Sequence, residues 1–197
     1  MASRQAMGPV DAAGWVAGVT RIDSPFFDAR PAGVLVDLLV VHNISLPPGV
    51  FGSGDVERLF AGTLDVRAHP FYSALAGARV SAHFFIDRRG AVIQFVSTAD
   101  RAWHAGLSTF EGRARCNDFS LGIELEGTDF APFTDAQYHA LVPLIALLCA
   151  RFPLRAIRGH SEIAGDRKTD PGPFFDWARL RASAQIDLSL LPVATRA

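Results

Sequence analysis

"VLVDLLVVH", residues 34–42, decides the architecture of this chain. The run is apolar and rich in β-branched residues, and it does not alternate. A strand with one wet face would alternate; a strand apolar on both sides belongs inside a sheet that is covered on both faces. Its last residue is a histidine. "NISLPPGVFGSGD" (43–55) follows, a loop by its prolines and glycines. A buried strand therefore delivers an imidazole to the place where a loop begins.

Working outward, "SAHFFIDRRGAVIQFV" (81–96) predicts a hairpin about a turn at 87–90, and "FSLGIELEG" (119–127) alternates as a further strand. "TDAQYHALVPLIALLCARF" (134–152) has the helix signature. Thr134 can cap it, Gln137 completes a capping box, and Leu141, Leu144, Ile145 and Leu148 form one stripe. Pro143 lies inside that pattern, where it removes a hydrogen bond and is expected to bend the helix. "DVERLFAG" (55–62) and "HPFYSALAGA" (69–78) predict short helices, "LRAIRGH" (154–160) a short strand, and "PFFDWARLRASA" (173–184) a closing helix. Strands mixed with helices of these lengths indicate one α/β domain, a central sheet flanked by helices.

Length and composition set limits. At 197 residues the chain fits one domain with a real core, and 49% hydrophobic with 20% charged residues excludes a disordered or fibrous chain. The net charge of −1 gives no pull toward nucleic acid or an anionic membrane, and no apolar run approaches the roughly 18 residues that span a bilayer. Only Arg4 precedes the mildly apolar start, which Pro9 and Asp11 interrupt, so no secretion signal is read. Cys116 and Cys149 sit in no motif and read as free thiols in a reducing compartment. A cytoplasmic location is expected.

The chemistry gathers at loops. "RGHSEIAGDRKTDPGP" (158–173) follows neither a helical nor a strand period, and its glycines and prolines mark irregular loop. It holds His160, Lys168 and Asp170 close together. His42 and His160 both stand at strand ends, where open α/β sheets bind ligands. With Asp170 they make a three-ligand zinc set that leaves a fourth position for water. Because 118 positions separate the two histidines, spacing alone leaves open that each is a structural residue. Glu124 and Glu126 point to one side of the 119–127 strand, where two acids are costly to bury unless partnered or used. That one or both face solvent also stays open.

"VVHNISLPPG", "VSAHFFIDRRGAVIQFV", "RAWHAGLS", "RCNDFSLGIELEG" and "GHSEIAGDRKTDPGPFFDW" together resemble the AmpD-type N-acetylmuramyl-L-alanine amidases. These belong to a wider zinc-amidase family shared with phage lysozyme-like amidases and peptidoglycan recognition proteins. The resemblance covers about residues 14–180 of a single 1–197 domain. It implies a mixed sheet with a zinc site at its edge, one zinc per chain held by His42, His160 and Asp170, a catalytic Glu124 and an active-site Lys168. It places Asn43, Arg79, Trp103 and Arg115 on the muropeptide substrate. It gives Glu126 no catalytic counterpart, reads His83 and His104 as structural or pocket-lining, and leaves His69 and His139 at the surface. Phe85 departs from the pattern, standing where a cysteine or another small residue is expected; this touches packing, not chemistry.

The implied reaction is hydrolysis of the amide between 1,6-anhydro-N-acetylmuramic acid and L-alanine in recycled muropeptides, with no nucleic acid or membrane partner. Two rivals stay open: a module that binds muropeptide without cutting it, and a periplasmic amidase acting on intact peptidoglycan.

Overall fold

The apolar run folds into a strand, and the rest of the chain arranges itself around it. The computed structural model describes residues 6–193, so Arg4 and the last four residues lie outside the described part. In chain order come β1 (Thr20–Arg21), β2 (Phe27–Ala29), β3 (Leu38–Ile44), α1 (Asp55–Phe60), β4 (Phe84–Ile86), β5 (Val92–Gln94) and β6 (Asp100–Ala102). After them come β7 (Thr109–Phe110), β8 (Arg113–Ala114), β9 (Ser120–Glu126), α2 (Asp135–Arg151), β10 (Ala156–Gly159), α3 (His160–Ala164) and α4 (Trp177–Arg181).

Six strands form the central sheet in the order β1-β5-β4-β9-β3-β10. Every neighbouring pair runs parallel except the β4–β5 hairpin, which turns with Gly90 at φ +81°. The sheet is therefore mixed, as the sequence predicts. β3 lies between β9 and β10, and its residues Leu38, Leu39, Val40 and Val41 have no exposed surface, the burial that its unbroken apolar run requires.

Helix α2 covers one face. Its stripe of Leu141, Leu144, Ile145 and Leu148 packs with Leu39 and Val41 of β3 and with Leu121, Ile123 and Leu125 of β9. Each such side chain, fully buried, contributes about 1.5–3 kcal/mol. The capping box forms: Thr134 Oγ1 accepts from the Gln137 N–H at 3.1 Å, and Gln137 Oε1 accepts from the Thr134 N–H at 3.0 Å. Buried Gln137 also donates to the carbonyls of Ile86 and Glu126, which ties the helix start to β4 and β9. Pro143 is exposed on α2, and the helix runs through it unbroken to Arg151.

The other face is covered by shorter pieces. Leu38 and Val40 pack with Ala105, Cys116, Phe119 and Ile163, while Phe85 packs with Leu46, Phe60, Tyr72 and Phe95. The expected helix at 69–78 is a 3-10 turn, Pro70–Leu75, begun by His69, whose half-buried ring accepts the Phe71 N–H at 3.2 Å. His139 is exposed, as expected. The closing helix is only five residues long, Trp177–Arg181, and Asp176 sets its start by accepting from the Ala178 and Arg179 N–H groups. The irregular reading of 158–173 also needs correction: His160–Ala164 is a helical turn and Gly165–Arg167 a 3-10 turn.

Candidate metal centre

Sheet register builds the site. His42 on β3 is paired with Glu124 on β9, which is paired with Phe85 on β4. Residues paired across parallel strands share a face and stand about 4.8 Å apart. On the other side of β3, Val41 is paired with Gly159, the last residue of β10, so His160 follows beside His42. Gly159 is required here, since a Cβ would come within 2.7 Å of Pro171 Cδ. The chain returns against it, and the Ser161 N–H donates to the Asp170 carbonyl at 2.9 Å. Asn43 clamps the same return, its amide donating to Pro171 O at 3.0 Å and to Asp129 Oδ1 at 2.8 Å.

His42, His160 and Asp170 thereby converge. His42 Nδ1 and His160 Nδ1 lie 3.1 Å apart, and Asp170 Oδ2 is 2.9 Å from the first and 3.1 Å from the second. A tetrahedral zinc with bonds of about 2.0–2.1 Å separates its ligand atoms by about 3.3 Å, so this triangle suits one ion. The donor set also fits. His160 Nε2 is 3.1 Å from the Ala105 carbonyl, which can only accept, so in the neutral ring Nδ1 is the lone pair. Lone pairs and a carboxylate turned toward one point ask for a cation. Among the described residues this trio is the one cluster with such geometry.

Electrostatics follow from burial. His42 is 1% exposed and His160 3%. Burial pushes the His42 imidazole below its usual range, against the pull of Asp170. For Asp170 burial acts upward, but the close approach of the His160 and His42 rings holds the carboxyl well below the usual carboxylate range. Glu124 shows the reverse: burial, then the charge of Asp170, push it well above, while Lys168 opposes. Both Glu124 and Glu126 are buried, which settles the solvent question for each. Glu126 is satisfied, accepting from the backbone N–H groups of Gly52 and Arg88, the latter at 3.0 Å. Glu124 Oε2 has no hydrogen-bond partner.

Lys168 stands exposed and makes no ion pair among the described residues. Arg79 is exposed too. Trp103 is half-buried: its indole donates to Asp28 Oδ1 at 3.2 Å and stacks on Phe26. Asp28 is held in turn by Arg101, which also pairs with Asp118, and Arg115 pairs with Asp118 at 3.3 Å. Arg115 sits at φ +62°, uncommon for a residue with a Cβ. It lines a cavity of about 440 Å³ with Leu107, Ser108, Thr109 and Ile163. Sequence reasoning missed Asp28 and Asp129 in these supports, since nothing in their spacing marks them.

Comparison with known proteins agrees with this geometry. A family model described as N-acetylmuramoyl-L-alanine amidase matches residues 32–173. The 1,6-anhydro-N-acetylmuramyl-L-alanine amidase AmpD of Citrobacter freundii is 54% identical over 171 residues, covering 86% of this chain and 91% of that protein. A crystal structure of an AmpD selenomethionine derivative superposes with a TM-score of 0.86 at 52% identity, over 89% of this chain and 98% of that one. A more distant neighbour is the complex of the amidase AmiD from E. coli with the substrate anhydro-N-acetylmuramic acid-L-Ala-D-γ-Glu-L-Lys. Its TM-score is 0.56 at 28% identity, over 88% of this chain and 65% of that one. A His-His-Asp triangle beside a buried glutamate, on a chain matched over most of its length, leads to one conclusion: the chain belongs to the N-acetylmuramoyl-L-alanine amidase family.

Proposed function

We propose that the chain, as one domain over residues 1–197, is a zinc-dependent hydrolase that cleaves the amide between 1,6-anhydro-N-acetylmuramic acid and L-alanine. The observation that carries this reading is Glu124: a buried carboxylate in register with His42, with one oxygen unpartnered, beside three converging ligand atoms. His42, His160 and Asp170 would hold one zinc ion, which supplies Lewis acidity for the attack of water on an amide carbonyl. Glu124 takes the proton of the attacking water and delivers it to the departing amine of L-alanine. Its raised proton affinity suits that exchange. Lys168, exposed at the rim and near enough to act on Glu124 by its charge, faces the negative charge that develops on the carbonyl oxygen.

Arg79, Trp103, Arg115 and Asn43 line the approach. Trp103 offers an apolar wall, and the guanidinium of Arg115 pairs with a stem-peptide carboxylate through two parallel hydrogen bonds. Asn43 has both amide hydrogens engaged on Asp129 and Pro171, so it meets substrate through its carbonyl oxygen. The substrate class is that named for the AmpD relative and held in the AmiD complex. The role in recycling is supported by the 1,6-anhydro substrate named for the AmpD relative, and the cytoplasmic location by Cys116 and Cys149, both free. No helix among the described residues is long and apolar enough to cross a membrane.

The test is incubation with purified anhydromuropeptide, with and without chelator, and mass spectrometry of the products. Free 1,6-anhydro-N-acetylmuramic acid and free stem peptide, lost on chelation, are expected. Binding without cleavage would overturn the reading in favour of a recognition module.

A further inference from the structure

One short segment reaches both imidazoles of the triangle. His104 Nδ1 lies 2.9 Å from His42 Nε2, and the carbonyl of the next residue, Ala105, lies 3.1 Å from His160 Nε2. A neutral imidazole has one N–H and one lone pair, and the partner of one nitrogen decides which is which. The Ala105 carbonyl settles His160, because a carbonyl oxygen only accepts. For His42 the decision passes through His104, whose Nε2 lies 3.2 Å from Ser120 Oγ. A serine hydroxyl can accept or donate, so Ser120 permits the tautomer with the proton on Nε2, in which His104 presents a lone pair at Nδ1. It then accepts from His42 Nε2–H, and His42 Nδ1 is left as a lone pair inside the triangle.

Two further contacts fix the segment. The N–H groups of His104 and Ala105 both donate to Asn117 Oδ1, at 3.2 and 2.8 Å. The His104 ring lies against the backbone of β9 at Gly122, where a Cβ would come within 2.5 Å of the ring. The ring meets His42 edge-on, with centroids 5.0 Å apart and planes at 83°.

We propose that His104 and Ala105, held by Asn117, are positioning residues that set both imidazoles with Nδ1 toward the ion. The proposal rests on the zinc reading above and assigns work to groups outside the ligand set. Partners that orient a metal-bound imidazole are worth about 10–100-fold in metal affinity.

The experiment measures zinc affinity by competition with a chromophoric chelator, beside the visible absorption of the cobalt-loaded chain. Circular dichroism and melting of the metal-free chain report on folding separately. His104→Ala removes the acceptor and should weaken zinc about 10–100-fold with an altered cobalt spectrum. His104→Asn places an oxygen near the position of Nδ1 and should recover most of that loss. Asn117→Ala should weaken zinc in the same direction, whereas Asn117→Asp keeps the accepting oxygen and should hold affinity near the parent. If His104→Ala does not fold, the Asn117 pair carries the same test. Equal losses in His104→Ala and His104→Asn, or unchanged affinity in both, would overturn the proposal. A parent chain that takes up one zinc while the variants match it overturns this proposal alone; a parent that takes up none overturns the zinc reading and this proposal together.

Discussion

Behind the central sheet, Leu39, Val41, Leu121, Ile123 and Leu125 meet the leucine stripe of α2. In front, the same two strands present His42, Gly122, Glu124 and Glu126. The rear face is a packing problem, and apolar side chains of suitable total volume solve it. The front face buries charge, and each buried polar group there must find a partner or weigh against the fold. Glu126 has its partners, Glu124 lacks one, and the triangle turns lone pairs toward one another. Groups of that kind are the mark of a site whose arrangement serves a ligand or a reaction, at some cost to stability.

Four measurements can break or sharpen this contrast. The largest effect is expected for His42→Ala. Two ligands hold zinc poorly, so metal and activity should be lost together, the first read by metal analysis. One tightly bound zinc in that variant would mean the ligand set is wrong. Next is Glu124→Gln, which keeps shape and removes the base. Zinc should remain, kcat should fall about 10²–10⁴-fold, and the melting temperature should not drop, because a poorly partnered buried acid is removed. A fall in kcat below about tenfold would put the proton on another group.

On the rear face, Leu144→Ala should lower stability in denaturant by about 2–5 kcal/mol through the cavity it leaves. Zinc stoichiometry and KM should stay as in the parent; a lost metal would show that the two faces are not independent. The smallest effect is expected for Glu126→Gln, which sets a donor against the N–H groups of Gly52 or Arg88 and should cost about 1–3 kcal/mol of stability. Its kcat should hold. A loss matching that of Glu124→Gln would make both carboxylates part of the reaction.

Much of the rear face was legible in the sequence, because its signals are local. The period of the α2 stripe, the Thr134 and Gln137 box and the unbroken run of β3 each lie within one short window. Signals shorter than a window were misjudged. The Pro70–Leu75 turn reads as a helix because a 3-10 turn shares its first-turn proline, and the helical turn at His160–Ala164 reads as loop because five residues do not complete a period. The two-residue strands β1, β7 and β8 leave no pattern to find.

By itself, the sequence determined which residue types were at hand and roughly where strands would deliver them: a histidine near the end of β3, another after β10, and an acid at the start of a proline-rich return. Only the tertiary structure decided that these meet. The convergence of His42 and His160 depends on β3 and β10 lying side by side in parallel, with 118 positions between the histidines, and no local period encodes such a pairing. The same holds for the environment of each acid. Glu124 and Glu126 are equivalent along the strand, yet one meets two backbone N–H groups and the other meets Asp170 across the site. Burial and partner, the quantities that set the chemistry of an ionisable group, are properties of the packed chain.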